Sequence, residues 1–98
     1  MSELNFEKIN AAALKVLPAL VKRWLPDGYR DGNEWVALNP CRDDLHHGSF
    51  KVNLVSGKWA DFAIPDVKGR GPISLAAYLF GLRRAEAARR LAQMLGVT

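Results

Sequence analysis

The apolar positions of this chain change period along its length, and those changes divide it into elements. From Phe6 to Trp24 they recur at helical spacing: Phe6, Ile9, Ala13, Val16, Leu17, Leu20, Val21 and Trp24 share one face of a 3.6-residue repeat. Ser2 or Asn5 is suited to cap this segment. Pro18 removes one intrahelical hydrogen bond, so the pattern predicts a kink or break there, with Pro18 opening a second short helix. Pro26 and the two Asp-Gly steps of "LPDGYRDGNE" then read as loop and turn.

Over the middle of the chain the period falls to two. "EWVAL" is a short strand candidate. In "GSFKVNLVSGKWADFA", Phe50, Val52 and Leu54 alternate with Lys51 and Asn53, Ser56-Gly57 supplies a turn, and Lys58 to Phe62 returns, which predicts a hairpin. "IPDVKGRGP" reads as loop. Helical spacing resumes in "ISLAAYLF", closed by Gly81, and in "RRAEAARRLAQMLG", closed by Gly96. In the latter, Ala87, Ala88, Leu91, Met94 and Leu95 fall on one face, Glu86, Arg89 and Gln93 on the other, and Arg90 at the boundary. The order predicts a single α+β domain over 1–98: an N-terminal helical segment (1–25), a small three-stranded antiparallel sheet (34–64) and two C-terminal helices (72–96).

Composition narrows the class. The chain has 98 residues, 49% of them apolar and 24% charged, which suits a small globular domain. Its single cysteine, Cys41, excludes an internal disulfide and fits a reducing cytoplasm. Glu3, Glu7 and Lys8 interrupt any signal-peptide core, and no apolar run is long enough to span a bilayer. The expectation is a cytoplasmic protein with no membrane partner. Charge is uneven: residues 1–66 carry eight Lys/Arg and nine Asp/Glu, whereas residues 67–98 carry six and one. A positive C-terminal third favours an anionic partner, nucleic acid first, over a merely solvated arginine face.

Candidate chemistry concentrates in "ALNPCRDDLHHGSFKVN", which holds Cys41, Asp43, Asp44, His46 and His47. A structural zinc site needs four Cys or His ligands in two pairs, and this chain has three such residues in all, on one side of the hairpin. Adjacent histidines also diverge on extended backbone. The stretch therefore reads as a polar turn, with no metal and no cofactor. Asp43 and Asp44 beside the histidines are the nearest thing to an acid–base or Mg²⁺ group, but adjacent carboxylates diverge as well. No nucleophile–base arrangement and no phosphate-cradling loop is present. The chain is expected to be non-catalytic.

For nucleic-acid binding, single-strand binders combine a basic track with aromatic platforms on a sheet. The candidate residues are Arg42, Lys51, Asn53, Lys58, Trp59, Lys68 and Arg70. Trp59 and Phe62 are three apart and cannot share one face of a regular strand. Either Phe62 enters the core and Trp59 is partly available, which is the preferred reading, or Trp59 packs beneath a helix. A different reading makes the chain a docking module, with Tyr78, Leu79 and Phe80 presented to a partner; the plainer assignment for Leu75, Leu79 and Phe80 is core.

The order "GSFKVN", "KWADFAI", then "KGRGPISLAAYLFGLRRAEAARRLAQMLGV" resembles the N-terminal zinc-ribbon domain of bacterial and phage DNA primases and of plasmid and phage primase–helicase proteins, over Glu34 to Val97. The family's zinc ligands match near Pro40, Asp43, Asp61 and Ile64, none of which is Cys or His. The resemblance thus implies a zinc-ribbon-like fold with the metal lost, its "LNPCRDD" turn held by hydrogen bonds, with Asn39 and Asp43 suited to cap it. It further implies single-stranded DNA as ligand, replication of a phage or mobile element as setting, and a primase or helicase as possible protein partner.

Overall fold

The computed structural model describes residues 4–41 and 49–97. The first helix, α1 (Phe6–Lys15), starts where Asn5 accepts the Lys8 amide on Oδ1 at 3.0 Å, and it buries Ile9 and Ala13. The chain breaks at Val16, and α2 (Leu17–Trp24) begins with Pro18 in its first turn, where a missing N–H costs nothing. Leu17, Leu20 and Val21 face the core. Among the described residues no helix is long and apolar enough to cross a membrane.

Five strands follow, where three were expected: β1 (Tyr29–Asp31), β2 (Glu34–Ala37), β3 (Phe50–Asn53), β4 (Trp59–Asp61) and β5 (Lys68–Gly69), in the order β1-β2-β3-β4-β5 with every neighbouring pair antiparallel. The two extra strands form from segments that read as loop. β1 has no apolar residue in the core and is exposed throughout. It forms because Gly32, at φ +60°, heads a two-residue Gly-Asn turn that pairs Asp31 with Glu34. β5 is two residues long and pairs Gly69 with Trp59. Between β3 and β4, Asn53 Oδ1 accepts the Val55 and Ser56 amides at 2.9 Å and Gly57 takes φ +81°, so the expected turn at Ser56-Gly57 forms.

Two helices close the domain: α3 (Pro72–Phe80), ended by Gly81 at φ +63°, and α4 (Arg84–Leu95), ended by Gly96 at φ +69°. Along α4, Ala87, Ala88 and Leu91 are buried as the pattern predicts, but Met94 is 47% exposed. One sheet face, carrying Trp35, Phe50, Val52 and Trp59, is buried in a common core with the helices. The Tyr78 ring of α3 lies 6.1 Å from Phe50 and 5.2 Å from Trp59, so three aromatics join helix to sheet. On the other sheet face Tyr29, Val36, Lys51, Ala60 and Lys68 succeed one another across the strands; Val36 is only 2% exposed, Lys51 and Ala60 are half-buried, and Tyr29 and Lys68 are exposed, so the face is most open toward β4 and β5.

Candidate nucleic-acid interface

Which side chains reach the open sheet face is decided on β4. Trp59 and Asp61 point inward; Ala60 points outward, and Phe62, two residues on, keeps that direction. Trp59 is only 5% exposed, and its Nε1 donates to Ser74 Oγ at 3.0 Å. Phe62 is 73% exposed. This reverses the preferred reading: Trp59 belongs to the core, its ring cannot stack on a base, and Phe62 is the aromatic offered to solvent. The reversal has a cause. Burying Phe62 would have turned Asp61 outward, but Asp61 has partners inside. Asn39 Nδ2 donates to Asp61 Oδ2 at 2.8 Å and to the Tyr78 hydroxyl at 2.7 Å, while Asp61 Oδ1 accepts the Ala63 amide at 2.9 Å. Both Asn39 and Asp61 are buried. A buried carboxylate with donors on both oxygens offsets its desolvation and fixes the register of the strand.

Around Phe62 the outward residues of β2, β3 and β4 form a shallow cup of about 190 Å³, lined by Glu34, Lys51, Asn53, Lys58, Ala60 and Phe62. The Lys51 ammonium stands 5.8 Å from the Phe62 ring centroid, within reach of a cation–π contact. Along β4 the sequence Lys58, Ala60, Phe62 places a cation, a small floor and an aromatic on one line. Asn53, a candidate contact, instead spends its carbonyl on the hairpin loop. Lys51, Asn53 and Lys58 are thus brought together, whereas Lys68 and Arg70 line a neighbouring cleft of about 380 Å³ with Asn10 and Arg84, across the edge strand β5. Lys68 also lies in the outward row beside Ala60, so the cup and the cleft adjoin. Arg42 lies outside the described residues, as do Asp43, Asp44, His46 and His47.

Sequence reasoning placed Arg84 on the surface in a second basic area with Arg83, Arg89 and Arg90, but missed Phe62 as a surface group and Tyr78 as a core hydroxyl that meets Asn39. A usable signal was the glycine opposite Trp59: Gly69 leaves room for an indole, and a Cβ there would overlap Trp59 and Ser74. The turn after β2 is held as expected at Asn39, whose Oδ1 accepts the Cys41 amide at 2.8 Å. Cys41 is exposed, and its thiol donates to Tyr78 O at 3.4 Å and Leu79 O at 3.7 Å; partial burial pushes its pKa above the usual thiol value. Among the described residues no group of His, Cys, Asp and Glu is arranged to hold a metal ion.

No protein-family model, curated protein or solved structure matches the chain. The functional reading therefore rests on the geometry of the face itself.

Proposed function

We propose that this chain is a non-catalytic module that binds single-stranded DNA on the open face of its sheet. One observation carries the reading: the Phe62 ring, 73% exposed, lies on the outward side of β4 with the Lys51 ammonium 5.8 Å from its centroid, in a cup that also holds Lys58 and beside the strand that carries Lys68. A base stacks on an aromatic whatever its identity, and lysines beside it track the phosphates. Duplex DNA, whose bases are already stacked, cannot use Phe62 in this way. Lys68 leads the backbone over the sheet edge toward Arg70. The resemblance to the primase zinc ribbon gives the reading its setting, replication of a phage or mobile element alongside a primase or helicase. The Asn39–Asp61–Tyr78 hydrogen bonds support a metal-free version of that ribbon, because Asp61 matches one of the family's ligand positions.

The test is fluorescence anisotropy of a labelled oligothymidylate across a salt series. Three lysine contacts give a log–log slope of about −2, at about −0.7 per neutralised phosphate. Phe62→Ala weakens binding by about 5- to 160-fold, the equivalent of about 1–3 kcal/mol of stacking. Lys51→Ala with Lys68→Ala flattens the slope. Binding that ignores all three substitutions, or no binding at low salt, would sink the proposal.

A further inference from the structure

The helical layer carries a second surface that the DNA reading leaves unused. α2, α3 and α4 enclose an open groove of about 360 Å³. Trp24, Phe80, Leu82, Leu91 and Met94 supply its apolar lining, and Arg90 is its one charged wall. Phe80 is 54% exposed and Met94 47%, although both project from helices that bury their other faces. Trp24 stands edge-on to Phe80 with centroids 5.7 Å apart, so the two largest rings of the groove meet in one aromatic pair. A partly exposed aromatic pair beside an adaptable methionine is the composition of an interaction centre rather than of an ordinary surface.

The charge of the helices that wall the groove selects the occupant. α2, α3, α4 and the turn between the last two carry Lys22, Arg23, Arg83, Arg84, Arg89 and Arg90 against one carboxylate, Glu86; of these Arg90 lines the groove and Arg84 lines the cleft beside β5. Arg84 leans away over the Phe6 ring. Glu86 is shared by Arg89 and Arg90; the hydrogen bond from Arg90, with Arg89 beside it, holds its carboxyl below the usual range. One carboxylate between two guanidiniums leaves the helices that wall the groove net positive, with Arg90 on the groove itself. A second copy of the chain is a poor occupant, since a two-fold contact would set these cations against themselves. Nucleic acid is poor too, because the lining offers a single polar group. The walls are helices with no free strand edge, so β-addition is unavailable and a helix laid in the groove is the mode that remains.

We propose that this groove binds an amphipathic acidic helix of a partner protein, its apolar stripe on Trp24, Phe80 and Met94 and its carboxylates toward Arg90 and the neighbouring cations. The probe is a pair of synthetic helices of about four turns with identical Leu stripes, one bearing Glu and its twin Lys at the polar positions. They are titrated into the isotopically labelled full chain and followed by amide and indole resonances. The Glu helix shifts the resonances of Trp24, Phe80, Leu91 and Met94 and binds at least about tenfold more tightly than the Lys twin. Phe80→Ser and, as a gentler variant on the opposite wall, Met94→Gln each weaken it by about fivefold or more, with the melting temperature of Met94→Gln unchanged. Three results overturn the proposal: no groove shifts at millimolar Glu helix, equal binding of the twins, or self-association that covers the groove in the absence of peptide.

Discussion

Truncating Asn39 tests the central claim about how the open face is built. Asn39 is 1% exposed, and among the described residues its amide makes three hydrogen bonds: to Asp61 Oδ2 at 2.8 Å, to the Tyr78 hydroxyl at 2.7 Å, and from the Cys41 amide at 2.8 Å. Asn39→Ala deletes all three. The bond to the buried carboxylate is worth about 1.5–3 kcal/mol and each of the others about 0.5–1.5, so the loss is about 2.5–6 kcal/mol. A domain of this size holds only about 5–15 kcal/mol in total. At about 4–8 °C per kcal/mol, the melting temperature measured by circular dichroism falls by at least about 10 °C. The mechanism is checked by exchange. Asn39→Asp and Asp61→Asn are each destabilising alone, the first by setting two carboxylates together and the second by removing the charged acceptor. Combined, they restore one carboxylate and one amide in contact: the carboxylate at position 39 accepts from Cys41 N, from Tyr78 and from the new amide, whose carbonyl still accepts from Ala63 N. The double variant is therefore more stable than the two single losses predict when added. An Asn39→Ala protein within about 1 kcal/mol of the parent, or a strictly additive double variant, would refute the idea that this network sets the register of β4.

Three further outcomes are expected. In urea, Trp59→Phe loses about 1–3 kcal/mol through its Ser74 hydrogen bond and core contacts, while Phe62→Ala, 73% exposed, stays within about 1 kcal/mol of the parent; the opposite ranking would mean that the strand is turned over. Gly69→Ala sets a Cβ 2.6 Å from Trp59 Cε2, so it costs about 1–3 kcal/mol by chemical denaturation, and a neutral effect would show that the indole is not held against β5. Alkylation of Cys41 by iodoacetamide follows a pH profile displaced above that of a free thiol, because partial burial disfavours the thiolate; the small stabilisation linked to the raised pKa is present at neutral pH and lost as pH rises through the alkaline thiol range. A midpoint at or below the ordinary thiol value contradicts the burial of that side chain.

The parts of the fold that rest on local pattern were legible in the chain. Helix caps at Asn5 and Gly81, the break before Pro18 and the alternation of Phe50, Lys51, Val52 and Asn53 are each decided within a few residues. The parts that failed depend on partners distant in sequence. Nothing in "KWADFAI" says that Asp61 is the inward residue, because the side chains that hold it there are Asn39, 22 residues earlier, and, bonded to Asn39 in turn, Tyr78 on a helix 17 residues later. Without them, the hydrophobic rule puts Phe62 inside and Asp61 outside, and every outward side chain of β4 is misassigned. β1 was missed for a related reason: a strand with no buried residue leaves no apolar period to read, and only the Asp-Gly-Asn-Glu turn hints at it. The lysines of the candidate site were found because charge needs no partner to be seen in a sequence; the aromatic that accompanies them was not.

The groove shares no lining residue with the cup on the sheet or with the cleft beside it. That arrangement predicts how their ligands interact. An acidic helix bound beside Arg90 removes positive potential from the same small molecule that attracts a DNA strand, so at low ionic strength each ligand weakens the other. The coupling is reciprocal, as linkage requires. It is also a field effect carried through solvent, and the Debye length shortens from about 30 Å at 0.01 M salt to about 8 Å at 0.15 M. Anisotropy titrations of the oligonucleotide with and without saturating Glu helix should therefore differ severalfold at low salt and converge within about twofold at physiological salt, where direct phosphate contacts still hold the strand. Competition that persists undiminished at high salt has a different physical origin: the ligands overlap. In that event either the strand runs over the helical layer or the helix lies on the sheet, and the two rings decide which: Phe80→Ser weakens both ligands and Phe62→Ala neither in the first case, and the reverse holds in the second.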